Sequence, residues 1–169
     1  TLDSMSRNKQ QKIASETLFL YAPLSHRLGL YNIKSELEDL CLKYKEVELY
    51  QKIEQSLKKS QAVRTRFINR FVVPIKRTLE EAGIGFEIKS RTKSIYSIYN
   101  KMLKKDIPFE EVYDLFAVRI ILNSREDEEK SECWKAYSVV TDHYKPNPDR
   151  LRDWISTPKS NGYESLHRT

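Results

Sequence analysis

Apolar residues recur at helical steps through the first half of the chain and alternate or cluster in the second. Ile13, Thr17, Leu20, Leu24 and Leu28 follow one another at steps of three and four. That spacing predicts a helix with those positions on its buried face. Pro23 is expected to bend or divide it, and Gly29 stands where a C-terminal stop belongs. A second helix is expected over about residues 32–44, burying Ile33, Leu37, Leu40 and Cys41. A third carries Ile53, Leu57, Val63, Phe67, Phe71, Ile75 and Leu79, with Pro74 as its candidate kink. Lys58, Lys59, Arg64, Arg66, Arg70, Lys76 and Arg77 fill its other side. A solvated helix face accounts for these cations more simply than a nucleic-acid surface does.

The character of the chain changes after Gly83 and Gly85. Phe86 and Ile88 alternate with Glu87 and Lys89, which predicts a strand to about residue 90. A helix follows over 94–105. The run LFAVRIIL at 115–122 is short, apolar and β-branched, the pattern of a central strand buried on both faces. Residues 126–144 read as a further helix, and Ile155 and the stretch 162–166 as strand pieces around a loop. The expected fold class is α+β. A helical region spans residues 1–82, and a mixed-sheet unit, expected to be incomplete, spans 83–169.

Composition narrows the function classes. Of 169 residues, 39% are apolar and 32% charged, enough to bury a core without the ~20-residue apolar run a membrane helix needs. The opening TLDSMSRNKQ has no apolar signal segment and no initiator Met, so a cut from a longer protein is expected. Cys41 and Cys133 form no CxxC pair and have no zinc spacing, which suits reduced thiols in a cytoplasmic protein. The net charge of +6 favours an anionic partner, whether nucleic acid, nucleotide or acidic protein.

Four segments have the chemistry to handle polyphosphate. In RTKSIYSIYNKM, Arg91 and Lys93 end a predicted strand, and Ser94, Ser97 and Lys101 share one helix face. The helix N-terminus is expected to offer free N–H groups and a positive dipole end to an anion. Asp114 stands at the mouth of the apolar strand, where a hard oxygen donor can hold Mg²⁺ beside phosphates. On spacing alone, a strand-start cap is its commoner role. Arg119 lies inside the apolar run, and a buried charge must reach a ligand or a carboxylate. Arg150 and Arg152 share a face if extended. In TPKSNGYESLH, Pro158, Asn161 and Gly162 build a loop with Lys159 and Tyr163 at its ends. A tyrosine among cations suits stacking on a purine, and His167 can contact phosphate oxygens.

RTKSIYSIYNKM, DLFAVRIIL and DWISTPKSNGYESLH resemble, in order and spacing, successive motifs of RelA/SpoT-homologue (p)ppGpp synthetase domains. ETLFLYAPLSHRLGLYNIKSELEDLCLKY is similar to the helical segment that bifunctional members place between hydrolase and synthetase. The resemblance covers nearly the whole chain. It implies a nucleotidyltransferase-like fold and Mg²⁺-dependent transfer of pyrophosphate from ATP to the ribose 3′-hydroxyl of GDP or GTP. Arg91, Lys93, Ser97 and Lys101 match positions on the ATP side, and Asp114 matches the metal-holding carboxylate. Tyr163 matches the residue stacked on guanine and Asn161 the reader of its base edge. Arg152, Lys159 and His167 match positions addressing the guanine nucleotide. RLRD at 150–153 is similar to the basic motif of bifunctional members.

The resemblance also implies an upstream hydrolase domain and ribosome contact through the parent protein, with no membrane partner. The hydrolase metal motif is not in this chain, and neither is the family's later glutamate, which follows the SLH stretch. The isolated chain is therefore expected to turn over little. The competing class is a helical regulatory or RNA-binding module resting on the basic third helix. The second half carries neither an RNP-like aromatic strand nor a GXXG loop.

Overall fold

The computed structural model describes residues 2–160 and 163–167. Helices α1 (Arg7–Glu16), α2 (Ala22–Arg27), α3 (Tyr31–Lys45) and α4 (Val47–Glu81) fill the first half. Strand β1 (Phe86–Thr92), helix α5 (Ile95–Lys105), strand β2 (Phe116–Leu122) and helix α6 (Glu129–His143) follow. Two short strands, β3 (Arg152–Asp153) and β4 (Leu166–His167), complete the described elements. The fold is α+β. Among the described residues the sheets are two antiparallel pairs, β1–β2 and β3–β4, rather than the mixed sheet the sequence suggests. Lys93 N–H donates to the Leu115 carbonyl and Asn123 N–H to that of Gly85, both at 2.9 Å. Those two bonds fix the antiparallel register of β1 on β2 from end to end.

The chain forms two compact units. One comprises the residues up to Ala62 with Arg91–Ala117, and the other Val63–Ser90 with everything from Val118. Each therefore draws on both the helical stretch and the later α/β stretch. In the first unit Ile53, Ile98, Phe109 and Val112 are buried together, flanked by Leu57, Ile95, Tyr99, Met102, Ile107 and Leu115. In the second, Ile75, Leu79, Ile84 and Ala136 are buried under Phe71, Phe86, Ile120, Leu122, Val139 and Val140. The Phe71 and Tyr144 rings stack at 4.3 Å, and Tyr144 Oη donates to the Phe71 carbonyl.

Three helices end by the same device. At the end of α4, Gly83 has φ +69°, its N–H bonds the Glu80 carbonyl, and the Ile84 N–H bonds that of Leu79. This is a Schellman closure, and Ile84 and Leu79 supply the apolar contact that accompanies it. Gly29 closes α2 with equivalent bonds to His26 and Ser25, as its position predicts. Asp106, at φ +51°, closes α5 and delivers Ile107 back onto the first core.

Several expected faces are corrected. Pro23 sits in the first turn of α2, and the helical backbone runs on from α1 without a break. Between α1 and α2, however, Thr17–Tyr21 forms a π-helical turn whose carbonyl at Thr17 accepts from Ala22 N–H. A π turn inserts a residue, so the buried face changes register. Leu20, Leu24 and Leu28 are exposed, and Ala14, Ala22 and Ser25 are buried instead. On α3, Cys41 is buried as expected, but Ile33 and Leu40 are exposed, with Leu42 and Glu38 inside. α4 buries Ile53 near its start and Ile75 and Leu79 near its end, leaving Val63 and Phe67 exposed between the two cores. Its helix continues through Pro74, and Lys58, Lys76 and Arg77 pair with Glu54, Glu80 and Glu81 four residues away. β2 is not buried on both faces. It pairs with β1, and Ala117 and Arg119 are exposed. Arg119 thus has no burial cost to offset.

Candidate functional site

Helix α5 brings the first candidates together. Ser94 precedes its first turn in extended conformation, and its Oγ accepts from Ser97 N–H. The Ser94 hydroxyl also donates to Ser97 Oγ at 2.8 Å. One turn further on, Lys101 projects from the same face. Ile98, between them in sequence and turned about 100° from Ser97 around the helix, is fully buried and anchors the helix to the first core. Hydrophobic burial thus decides which side of α5 the polar residues occupy.

Asp114 is gripped between two cations. Lys93 Nζ lies 2.5 Å from Oδ2, while Lys101 Nζ bonds Oδ1 and also donates to the Tyr113 carbonyl at 3.0 Å. Burial alone pushes this carboxyl up, but the hydrogen bonds from Lys101 and Lys93 outweigh it and hold it below the usual aspartate range. Asp114 has φ +60°, a left-handed conformation that aspartate tolerates better than most residues. Next to it the Lys93 N–H bonds the Leu115 carbonyl, so strand pairing sets Lys93 beside the carboxylate. Arg91 emerges at the same end of β1. It does not join this cluster, its guanidinium donating to Ser35 Oγ of α3 at 3.2 Å.

The expected free anion site at the N-terminus of α5 is not there. Tyr96 N–H donates to Asp39 Oδ1 of α3 at 2.7 Å, and Ser97 N–H is taken by Ser94. Burial raises the Asp39 carboxyl above its ordinary range, outweighing the N–H groups of Tyr96 and Ile95 that bond it. Sequence reasoning missed Ser35 and Asp39. Their spacing of four along α3 was the available signal, since it puts two small polar side chains on one helix face.

The second group lies in the other unit. β3 and β4 set Arg152 directly opposite His167. Tyr163 Oη lies 2.8 Å from His167 Nε2, with the rings edge to face at 5.7 Å. Lys159 Nζ stands 5.2 Å from the Tyr163 ring centre and 4.8 Å from that of Trp154. Trp154, which the sequence reading left out, is fixed by its N–H to the Ser165 carbonyl. Partial burial, then the charges of Lys159 and Arg119, lower the His167 pKa, so the ring is held toward its neutral form. Asp153 Oδ1 accepts from the N–H groups of Ile155 and Ser156 and shapes the start of this loop. Arg150 lies in a 3₁₀ turn (Pro148–Arg150), outside the strand that carries Arg152. The two arginines therefore do not share an extended face. Asn161 lies outside the described residues.

Each unit therefore presents a basic cluster. The first sets Lys93 and Lys101 on one carboxylate, and the second sets Lys159 and His167 against the Tyr163 ring, with Arg152 opposite His167 on the paired strand. Such sets match phosphate oxygens and a planar base respectively. Residues 90–169 match the model of the region found in RelA / SpoT proteins. Over its full length the chain is 44% identical to a Synechocystis protein named probable guanosine-3′,5′-bis(diphosphate) 3′-pyrophosphohydrolase, spanning 22% of that protein. It is 40% identical to a GTP pyrophosphokinase of Myxococcus xanthus, again over all of the chain and 22% of the relative. Over 99% of the chain it is 38% identical to the bifunctional (p)ppGpp synthase/hydrolase SpoT of Escherichia coli, of which it spans 23%. The chain thus corresponds to less than a quarter of the length of these relatives.

Proposed function

We propose, because the chain belongs to the RelA/SpoT family, that it carries substrate-binding parts of a (p)ppGpp synthetase. The reaction is transfer of pyrophosphate from ATP to the ribose 3′-hydroxyl of GDP or GTP. A bond forms between the 3′-oxygen and the β-phosphorus of ATP, the α,β-bridging bond breaks, and AMP leaves. The observation that carries this reading is the Asp114 carboxylate clasped by Lys93 and Lys101. Transfer of this kind needs charge stabilisation and alignment more than covalent catalysis.

In this reading Lys93, Lys101 and Arg91 take the ATP phosphates, with Ser97 donating a hydroxyl. Among the described residues no group of three or more His, Cys, Asp or Glu could hold a metal. One carboxylate completed by water and substrate phosphates is nonetheless an ordinary Mg²⁺ arrangement, so the residues present fit that ion with Asp114 as its protein ligand. Mg²⁺, when bound, neutralises charge on the phosphates in transfer. Incoming phosphate oxygens compete for both lysine ammonium groups and free Asp114 for this task. On the guanine side Tyr163 stacks on the base, and Arg152, Lys159 and His167 address the phosphates, with Asn161 at the base edge. The nucleotidyltransferase-like description of the fold belongs to the same proposal.

Several relatives are named as hydrolases, but these are proteins more than four times the length of this chain. An upstream hydrolase domain, ribosome contact and a cytoplasmic setting accordingly remain expectations about the natural protein.

Two measurements test the reading in that protein. Incubation of ATP and GDP with Mg²⁺ should yield a guanosine tetraphosphate and AMP, resolved by chromatography. Titration calorimetry with GDP should show Tyr163→Ala losing about 1–3 kcal/mol of binding. Tyr163→Phe keeps the ring and gives up the hydroxyl contact with His167, so its loss should be clearly smaller. Equal losses would assign recognition to the hydroxyl, and no loss for either would end the stacking role.

A further inference from the structure

The four N–H groups that open a helix have no partner within it and must be satisfied from outside. In α5 that task is divided. Ser94 takes Ser97 N–H from within the same segment, whereas Tyr96 N–H is taken by Asp39, 57 positions away on α3. Ile95 N–H also bonds the Asp39 carboxylate. One turn before Asp39 on α3, Ser35 accepts the guanidinium of Arg91, the residue at the end of β1. Two adjacent polar side chains of one helix therefore hold both the start of α5 and the arginine beside it. All of these residues lie within the first unit.

We infer that Asp39 is a positioning residue for ATP, setting the first turn of α5 and through it Ser97 and Lys101. The inference rests on the synthetase reading above, which assigns those two residues to the triphosphate. The local chemistry supports it. The Asp39 carboxylate is partly buried, which is costly unless its oxygens are used, and at least one is spent on the α5 backbone. Ser97 sits at the third helical position, so a half-turn change in the entry of α5 would move its hydroxyl. Lys101, a turn later, would lose its approach to Asp114. Ser35 plays the lesser part, since it holds a side chain that is itself exposed.

The test compares Asp39→Ala, Asp39→Asn and Lys93→Ala in the natural full-length protein, with KM for ATP and GDP, kcat, and GDP binding measured for each. Loss of a helix-capping partner is expected to raise the ATP KM by about 5–20-fold in Asp39→Ala. Its GDP binding should stay within twofold of wild type, which shows the fold intact. Asp39→Asn keeps an oxygen acceptor for Tyr96 N–H and should recover most of the loss. Should Asp39→Ala fail to fold, Ser35→Ala, which removes the hydroxyl that accepts from Arg91, is expected to raise the ATP KM by a few-fold on its own. An unchanged ATP KM in Asp39→Ala, or in Ser35→Ala where Asp39→Ala does not fold, would overturn the inference, and so would equal weakening of ATP and GDP. Tighter ATP binding by Asp39→Ala would overturn it too, since the carboxylate would then be a competitor for the phosphates. If Lys93→Ala leaves the ATP KM unaltered, the synthetase reading fails as well. A Lys93 effect without an Asp39 effect removes only the present inference.

Discussion

Asp114→Asn is expected to lower synthetase turnover of the natural protein at least about 100-fold, since loss of a metal's charge stabilisation is worth several kcal/mol. The substitution keeps the shape and one acceptor oxygen but removes the negative charge between Lys93 and Lys101. With the carboxylate 40% exposed and the two lysines at 38% and 22%, the ion pairs themselves contribute little to folding. Stability should therefore change by no more than about 1 kcal/mol, and activity and stability part company. Asp106→Asn makes a fair control. It alters another aspartate in left-handed conformation, at the end of α5, and should leave turnover alone. Turnover of Asp114→Asn within tenfold of wild type would show that the carboxylate is not the metal ligand.

The second large effect falls on stability. Ile98 is fully buried among Ile53, Phe109 and Val112, and Ile98→Ala removes three carbons from a packed site. A loss of about 2–5 kcal/mol is expected, combining transfer and cavity terms. Denaturant unfolding would read it as a lower midpoint with little change in slope. Because Ile98 anchors the helix that carries Ser97 and Lys101, ATP binding should suffer in the same variant. A loss under 1 kcal/mol would mean that the first core collapses readily around the gap.

How far the sequence could be read depended on what each pattern encodes. Helices α3, α4, α5 and α6 and strands β1 and β2 were legible because their periods are local. Gly29 and Gly83 announced their stops through the one residue type that suits φ near +70°. Buried faces were less legible. The π turn at Thr17–Tyr21 adds one residue that no periodicity count allows for, and it turned Leu20, Leu24 and Leu28 outward. Val63 and Phe67 keep the four-residue spacing of α4, yet both are exposed. For β2, a run of β-branched residues looked doubly buried, whereas Ala117 and Arg119 face solvent.

At the site, strand and helix endpoints put Lys93 and Lys101 together, whereas spacing alone offered Asp114 as a strand-start cap, and its pairing with both lysines came from the structure. The closing of the α5 N-terminus by Asp39 did not, because no local rule couples positions 39 and 96. Arg91 was similarly read with its neighbours in sequence and found with Ser35 of α3 instead.

The left-handed backbone at Asp114 carries a cost that the chain could avoid. Glycine would fit φ +60° with no steric penalty, but it would leave Lys93 and Lys101 without their carboxylate. Alanine would lose the carboxylate and keep the strain, so Asp114→Gly should melt above Asp114→Ala by a margin of about 1 kcal/mol. Thermal unfolding of the two inactive variants decides the point, and the reverse order would deny any strain at this residue. Under the proposed function, stability and activity pull on position 114 in opposite directions, and aspartate keeps its carboxylate on a backbone better suited to glycine.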